Sequence, residues 1–530
     1  MSTALTGTAP LLRTSVKHDG RSFAPWILIV SALSASSVLV YPWIFPDQQD
    51  RAGLATAIGA NPALGLIFGP AFDISTTDGF NAWRSLAIGG FLAALAAIFA
   101  VTRATRGQED SGQAELLASG VLGRDSRLLA GVGLALVGSL GLGVIAGVVT
   151  GLCGGNWQAS MLLGATFTAT GWMFTAVAAV TAQIGSDSRT ANSMAVGTLG
   201  VLFILRGFAY SVEAPKWTVW INPLGWMTET RPANGDHWWP LLLALGLTVI
   251  LIGIAFALQA RRDFGQGAIA PRPGPARGKD RSTWRLTFRV NRGPVITWTI
   301  AFLALGVVFG FFATSITDIL SSDSAVAQVL AAGATTPDAL VSAFLVTILS
   351  LVGIIASIPG VQIMLKLRTE EMEDRVEVVI ATKVRRQRYY ASSVVLALAA
   401  PAVYVLIAGT VIATLASTAD IGVNFGDAIL QAVVTVPAVW TVVAVSVAVV
   451  GARPQVSIAA WLGVLLSFVL TLLGPTFKLW DWILAISPFW HIPNVTLSDA
   501  DAWGLLWISL VTAFFVAVGF AGFRRRDLAR

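Results

Sequence analysis

The chain has 530 residues, 55% of them hydrophobic and only 12% charged, about half the charged fraction of a soluble globular protein. One cysteine, Cys153, excludes an intrachain disulfide and a Cys-based metal cluster; the three histidines, His18, His237 and His491, lie far apart without ligand spacing and read as structural or interfacial. The net charge of +6 sits in loops between apolar runs, so membrane topology accounts for it without nucleic acid.

Apolar runs of about 20 residues, the length a helix needs to span a bilayer, recur throughout. They predict twelve transmembrane helices, over residues 25–45, 82–102, 128–152, 158–182, 193–212, 240–260, 294–316, 340–365, 393–416, 427–450, 456–474 and 503–523. The first run is too long for a signal-peptide core and has no small-residue cleavage pattern after it. With the N-terminus inside, 29 of the 35 Lys and Arg fall in inner loops. Five lie outside or at the outer end of a span (Arg51, Arg84, Lys216, Arg231 and Lys478), and Arg206 alone is in the interior of a span. This bias predicts a multi-pass membrane protein with both termini cytoplasmic; Arg far in excess of Lys, with abundant Ala and Gly, points to a bacterial source and so to its inner membrane.

In chain order, Pro46 to Phe80 reads as a long, mildly polar outer segment. The first charged inner loop follows the second span: RATRGQEDSGQAELLASGVLGR, Arg103 to Arg124. Arg206 interrupts the fifth span in LGVLFILRGFAY. A cation there is expensive and marks a functional candidate, with Phe203, Phe208 and Tyr210 beside it as a substrate path or gate. The alternative is that Arg206 snorkels outward or pairs with Glu213. Lys216 to Trp239 carries five tryptophans and Leu479 to Trp503 carries four, which predicts short helices or re-entrant caps at the outer interface. Between the halves, Arg261 to Asn291 contains GAIAPRPGPARGKDR, the composition of a connector. The second charged loop is KLRTEEMEDRVEVVIATKVRR, Lys366 to Arg386.

The chain is written twice. Arg106 aligns with Arg368, Glu109 with Glu371, Glu115 with Glu377 and Arg124 with Arg386. NPLGW at Asn222 answers SPFWH at Ser487, and both halves end on Arg-Arg-Asp. The predicted organisation is a six-helix half over 1–260, a linker over 261–291 and a second six-helix half over 292–530, in parallel orientation. In the second loop Met372, Val376, Val379 and Ile380 form an amphipathic stripe; Ala114, Leu117, Ala118 and Val121 repeat it in the first. Acidic residues gain nothing from an anionic inner leaflet. The repeated Glu and Arg therefore favour a protein partner.

The pattern R-x-x-E-x-x-G-x-x-E-L-L, then WINPLGW, RPANGDHWWPLL and ARRDFGQG before a proline-rich linker, resembles permeases of type V ABC exporters. More narrowly it resembles the polyketide-antibiotic (tetronasin-type) exporter permeases, in which two six-helix halves are fused. The resemblance implies that the charged loops are coupling helices. Glu109, Glu115, Glu371 and Glu377 would then be contacts to an ATPase, supported by Arg106 and Arg368. It implies ATP and Mg on separate ATPase subunits, a homodimer, no cofactor on this chain, and export of hydrophobic or amphipathic small molecules such as antibiotics. The family's Gly-Arg pair in the loop is Gly112-Gln113 in one half and Asp374-Arg375 in the other. The chain itself has no GxxxxGK[ST] phosphate loop; GPARGKD at Gly274 has the wrong spacing.

Two other classes compete. A major-facilitator-like secondary transporter also has twelve helices, but it should carry coupling acids inside the membrane. No predicted span has Asp or Glu in its interior. A membrane enzyme would need a cluster of acids or His, and Asp73, Asp78, Glu229, Asp236 and His237 suggest none by their spacing.

Overall fold

The computed structural model describes residues 5–59, 62–118, 122–211, 214–262, 267, 282–314, 337–418, 424–473, 480–495 and 502–527. All regular structure among them is helical. Two compact units divide the chain, Met1–Gly274 and Pro275–Arg530.

Among the described residues twelve helices are long and apolar enough to cross a membrane, six in each unit. The first unit holds α1 (Ala24–Ile44), α2 (Thr77–Thr102), α3 (Ser126–Leu152), α4 (Trp157–Ile184), α5 (Ser188–Ser211) and α6 (Pro240–Arg261). The second holds α7 (Thr283–Thr314), α8 (Pro337–Met372), α9 (Arg386–Thr418) and α10 (Phe425–Ala452). It continues with α11, broken into Pro454–Trp461, Leu462–Phe468 and Val469–Leu473, and α12 (Trp503–Arg525). Runs of Leu, Ala, Val and Ile become helices here because a bilayer offers the backbone no other hydrogen-bond partner.

Small residues bring the central helices together. Gly143, Gly147 and Gly151 line one face of α3. A Cβ on Gly143 would lie 2.2 Å from the Gly164 carbonyl oxygen of α4, and one on Gly147 3.0 Å from that of Ser160. In the second unit a Cβ on Gly451 of α10 would lie 2.3 Å from the Gly519 carbonyl oxygen of α12. Lipid gives helices no hydrophobic reason to associate, so close backbone approach and dispersion must do it. The last helix of each unit buries few of its residues. Of α6 only Pro240, Ala244, Thr248, Ala255 and Gln259 are buried, and of α12 only Ile508, Gly519 and Phe523.

Three features differ from the sequence-based expectation. Helix Thr8–Asp19 precedes α1 and packs Leu12 beside Gly133 of α3; the tail sequence TAPLLRTSVKHD reads as merely polar because its apolar face is narrow. Helix α7 starts at Thr283 rather than 294, with Pro294 inside it. Proline is favoured at the first turn of a helix, which made Pro294 look like a start. Most of the predicted linker lies outside the described residues. The helices of the charged loops are only six residues long, Gln113–Ala118 and Arg375–Ile380. Met372 ends α8 and is exposed, so it is not part of the predicted stripe. The stripe is cut by a turn at Asp374, whose φ of 56° is left-handed; Gly112 at the matching position has φ 74°. Asp is among the few side chains that tolerate this region, which is how it stands in for Gly.

The tryptophan-rich segments form short helices: Trp217–Ile221 and Pro223–Thr228 in one unit, Asp481–Leu484 and Pro488–His491 in the other. Asn222 caps the second helix by accepting from Leu224 N at 3.0 Å. Ser487 does the same for Phe489 N at 3.4 Å. The NPLGW and SPFWH strings thus correspond in structure: a polar cap followed by proline at the first helical position.

Candidate functional site

The charged end of the first unit is gathered by one carboxylate. Past Thr102, α2 widens into a π-turn over Arg103–Gly107 and then the short helix Gln108–Asp110. This turns Arg106 and Glu109 inward. Glu109, its side chain only 4% exposed, accepts from three guanidiniums: Arg106 Nη1 at 2.8 Å, Arg127 Nη2 at 2.6 Å and Arg262 Nη2 at 2.9 Å. These come from the end of α2, the start of α3 and the residue after α6. Arg106 Nε also donates to the Ala182 carbonyl in the last turn of α4 at 2.5 Å. Arg262 Nε donates to Gln183 Oε1 at 2.7 Å. Arg124 Nη2 donates to the carbonyls of Gln259, Ala260 and Arg262 at 3.0–3.1 Å, closing the end of α6. Three cations on one anion are tolerable because helix C-termini supply further negative potential.

The second unit repeats this arrangement. Glu371, 1% exposed in its side chain, accepts from Arg368 Nη1 at 3.2 Å and Arg526 Nη2 at 2.6 Å. Arg526 follows α12 as Arg262 follows α6, and its Nε donates to the Gly451 carbonyl at the end of α10. Arg386, the counterpart of Arg124, donates to the carbonyl of Arg526. The ring of Phe523 lies under both guanidiniums, 5.1 Å from Arg386 and 5.0 Å from Arg526. One difference is substantive. Where the first unit has Arg127, the second has Tyr389, whose hydroxyl donates to Glu370 at 2.8 Å.

Sequence reasoning grouped the four loop glutamates as surface contacts, and the structure separates them. Glu109 and Glu371 are enclosed. Glu115 and Glu377 are exposed, each in the first turn of its short helix. Beside them Leu116 and Val378 are 77% and 73% exposed, while Ala114 and Val376 at the preceding positions are buried. The helix tip therefore offers an acid and an apolar side chain side by side, identically in both units. Leu116 and Val378 were missed because only the inward stripe has a recognisable period. The side chains of Leu117, Ala118 and Val121 lie outside the described residues.

One further contact ties the first loop to α5, whose own first turn is capped by Asp187. Asp110 Oδ2 accepts from Ser188 N, the first residue of α5, at 2.8 Å. Asp187 accepts from Thr190 N and its hydroxyl at 2.8 and 2.9 Å. Partial burial raises the Asp187 carboxyl, but the hydrogen bonds from Thr190 and Ser186 outweigh it and hold it below the usual carboxylate range.

The fifth-span residues are placed differently from one another. Arg206 is buried at 3% exposure and donates from Nη2 to the Ile67 carbonyl at 2.6 Å, capping the short helix Pro62–Phe68. Its guanidinium lies 4.8 Å from the Phe203 ring, and Phe203 packs edge-on against Phe91 of α2. A Cβ on the next residue, Gly207, would lie 1.8 Å from the Leu66 carbonyl oxygen, so Arg-Gly together admits and caps that helix. Arg206 thus neither snorkels nor faces an open path; Glu213 lies outside the described residues. Phe208 is exposed. Tyr210 donates to Glu229 at 3.0 Å, which also holds Arg231 at 2.6 Å.

Twelve apolar helices among the described residues, and the same clasped, charged loop in each six-helix unit, define a polytopic membrane protein. Similarity to known proteins narrows the class. The family model described as "Multidrug efflux system permease Rv1217c, C-terminal domain" matches residues 52–258 and 281–524, one stretch in each unit. The multidrug efflux system permease protein Rv1217c of Mycobacterium tuberculosis (strain ATCC 25618 / H37Rv) is 36% identical over 533 residues, covering 99% of this chain and 95% of that protein. The chain belongs to this family of multidrug efflux permeases.

Proposed function

We propose that the chain is the membrane subunit of an ATP-driven ABC exporter, moving hydrophobic or amphipathic small molecules out of the cell. Its charged ends face the cytoplasm of a bacterial cell, and a separate ATPase dimer, carrying ATP and Mg, binds beneath them. The tetronasin-type resemblance belongs to this reading as its finer form, with antibiotics as the cargo class. Support comes chiefly from the repeated helix tips. Glu115 with Leu116, and Glu377 with Val378, stand exposed at equivalent positions on bases that buried ion pairs make rigid. An exposed acid next to an exposed large apolar residue suits a partner groove that is basic at its rim and apolar at its floor. Two equivalent tips suit two equivalent partners. Apolar cargo paths discriminate weakly, since one methylene is worth about 1–3 kcal/mol, and broad drug specificity accords with that.

A tagged chain, expressed with candidate phosphate-loop ATPases of its source cell, tests the docking. Wild type retains the ATPase through detergent purification. Leu116→Asp with Val378→Asp lowers retention by about a hundredfold, the cost of placing charge in a desolvated contact, with no change in the chain's own elution profile. Equal retention by wild type and the double variant rejects these tips as the contact.

A further inference from the structure

We propose that Arg262 and Arg526 are positioning residues that carry movement of each charged loop into the last helix of its unit, α6 or α12. The inference rests on the docking reading above, in which something pulls on the loops. Each last helix is held by its loop twice over. In the first unit Glu109 holds the side chain of Arg262, while Arg124 holds its backbone carbonyl. In the second, Glu371 holds the side chain of Arg526 and Arg386 holds its carbonyl. The grip is thus made from both ends of the loop, since Arg124 and Arg386 lie where the loop enters α3 and α9.

Beyond that grip each helix keeps one packed face, α6 on α4 and α12 on α10, where Thr441 Oγ1 donates to the Ile508 carbonyl at 3.1 Å, and turns the rest of its surface outward. Helix α6 turns Leu242, Val249, Ile250 and Ile254 away from the core of its own unit, and α12 does the same with Leu506, Leu510 and Phe514. A loop displaced by its partner must either strip a buried guanidinium from its carboxylate or take the helix with it. Separating buried charges is costly, whereas a helix that shifts together with the neighbour it packs on moves only outward apolar faces through equally apolar surroundings. The helix moves. In the first unit its far end begins at Pro240, directly after Trp239, whose ring stacks on Trp220 at 5.0 Å. Motion entering at the charged loop is thereby delivered to the tryptophan-rich segment, some 22 residues away along α6.

The full chain with its ATPase, reconstituted in liposomes and assayed with the fluorescent cationic dye Hoechst 33342, gives the test. Arg526→Met should retain the ATPase and its ATP hydrolysis at wild-type levels while ATP-driven dye export falls about tenfold, the size of effect expected for a coupling residue. Glu371→Arg combined with Arg526→Glu keeps one carboxylate and two guanidiniums in the cluster, and should restore export to within about threefold of wild type. A residue needed only for folding would lower ATPase retention and export together. Export by Arg526→Met within about twofold of wild type overturns the inference. So does a swapped pair that folds and binds the ATPase but exports no better than Arg526→Met. Failure of the docking reading shows separately, as a wild-type chain that retains no ATPase, and it removes this inference as well.

Discussion

Glu115→Arg with Glu377→Arg abolishes ATP-driven export while leaving the chain inserted and folded. Both acids are exposed on short helices whose inward anchors are Ala114 and Val376, and exposed substitutions of this kind leave stability nearly unchanged. Against a partner surface complementary to the acid the same change sets like charges together. Such juxtapositions weaken association by about a hundredfold or more. Because the tips occur once in each unit, either single variant retains one contact and partial export. The check is dye export from inverted vesicles together with ATPase retention. Wild-type export from the double variant contradicts the docking role.

The second large effect is on stability. Glu109→Ala strands Arg106, Arg127 and Arg262 around an empty centre. Removing one partner from a buried charge cluster costs about 3–5 kcal/mol, and here one carboxylate serves three guanidiniums. Glu371→Ala costs less, because that carboxylate serves two guanidiniums, Arg368 and Arg526, rather than three. Glu115→Ala, at a comparable chain position but exposed, costs nothing measurable. Thermal unfolding in detergent, followed by size-exclusion of a fluorescently tagged chain, should rank the variants in that order. A Glu109→Ala midpoint equal to wild type contradicts the assignment of Glu109 as the centre of the cluster.

The spans were readable because each is a run of apolar residues longer than any soluble core element requires, and their observed positions follow the prediction closely. The repeat was readable because Arg106, Glu109, Glu115 and Arg124 recur at one constant offset. Burial of Glu109 and Glu371 was not readable. A helical wheel drawn on one loop shows them on a polar side and cannot show that Arg262 and Arg526, more than 150 residues further on, fold back to fill that side. The Arg-Arg-Asp string at the end of each half was visible as a repeat, but its partner was not. Arg206 eluded prediction for a related reason. Its partner is the backbone carbonyl of Ile67, and a carbonyl has no sequence signature. Leu116 and Val378 were hidden because an exposed apolar residue in an amphipathic stretch breaks the pattern being sought.

The most direct test of the whole account is transport by purified protein in sealed liposomes under two energy sources. With the ATPase present and ATP on its side, the account predicts dye accumulation that stops when hydrolysis is blocked by vanadate. With the chain alone under a proton or sodium gradient, it predicts none. Gradient-driven accumulation by the chain alone, unaffected by ATP, would contradict it.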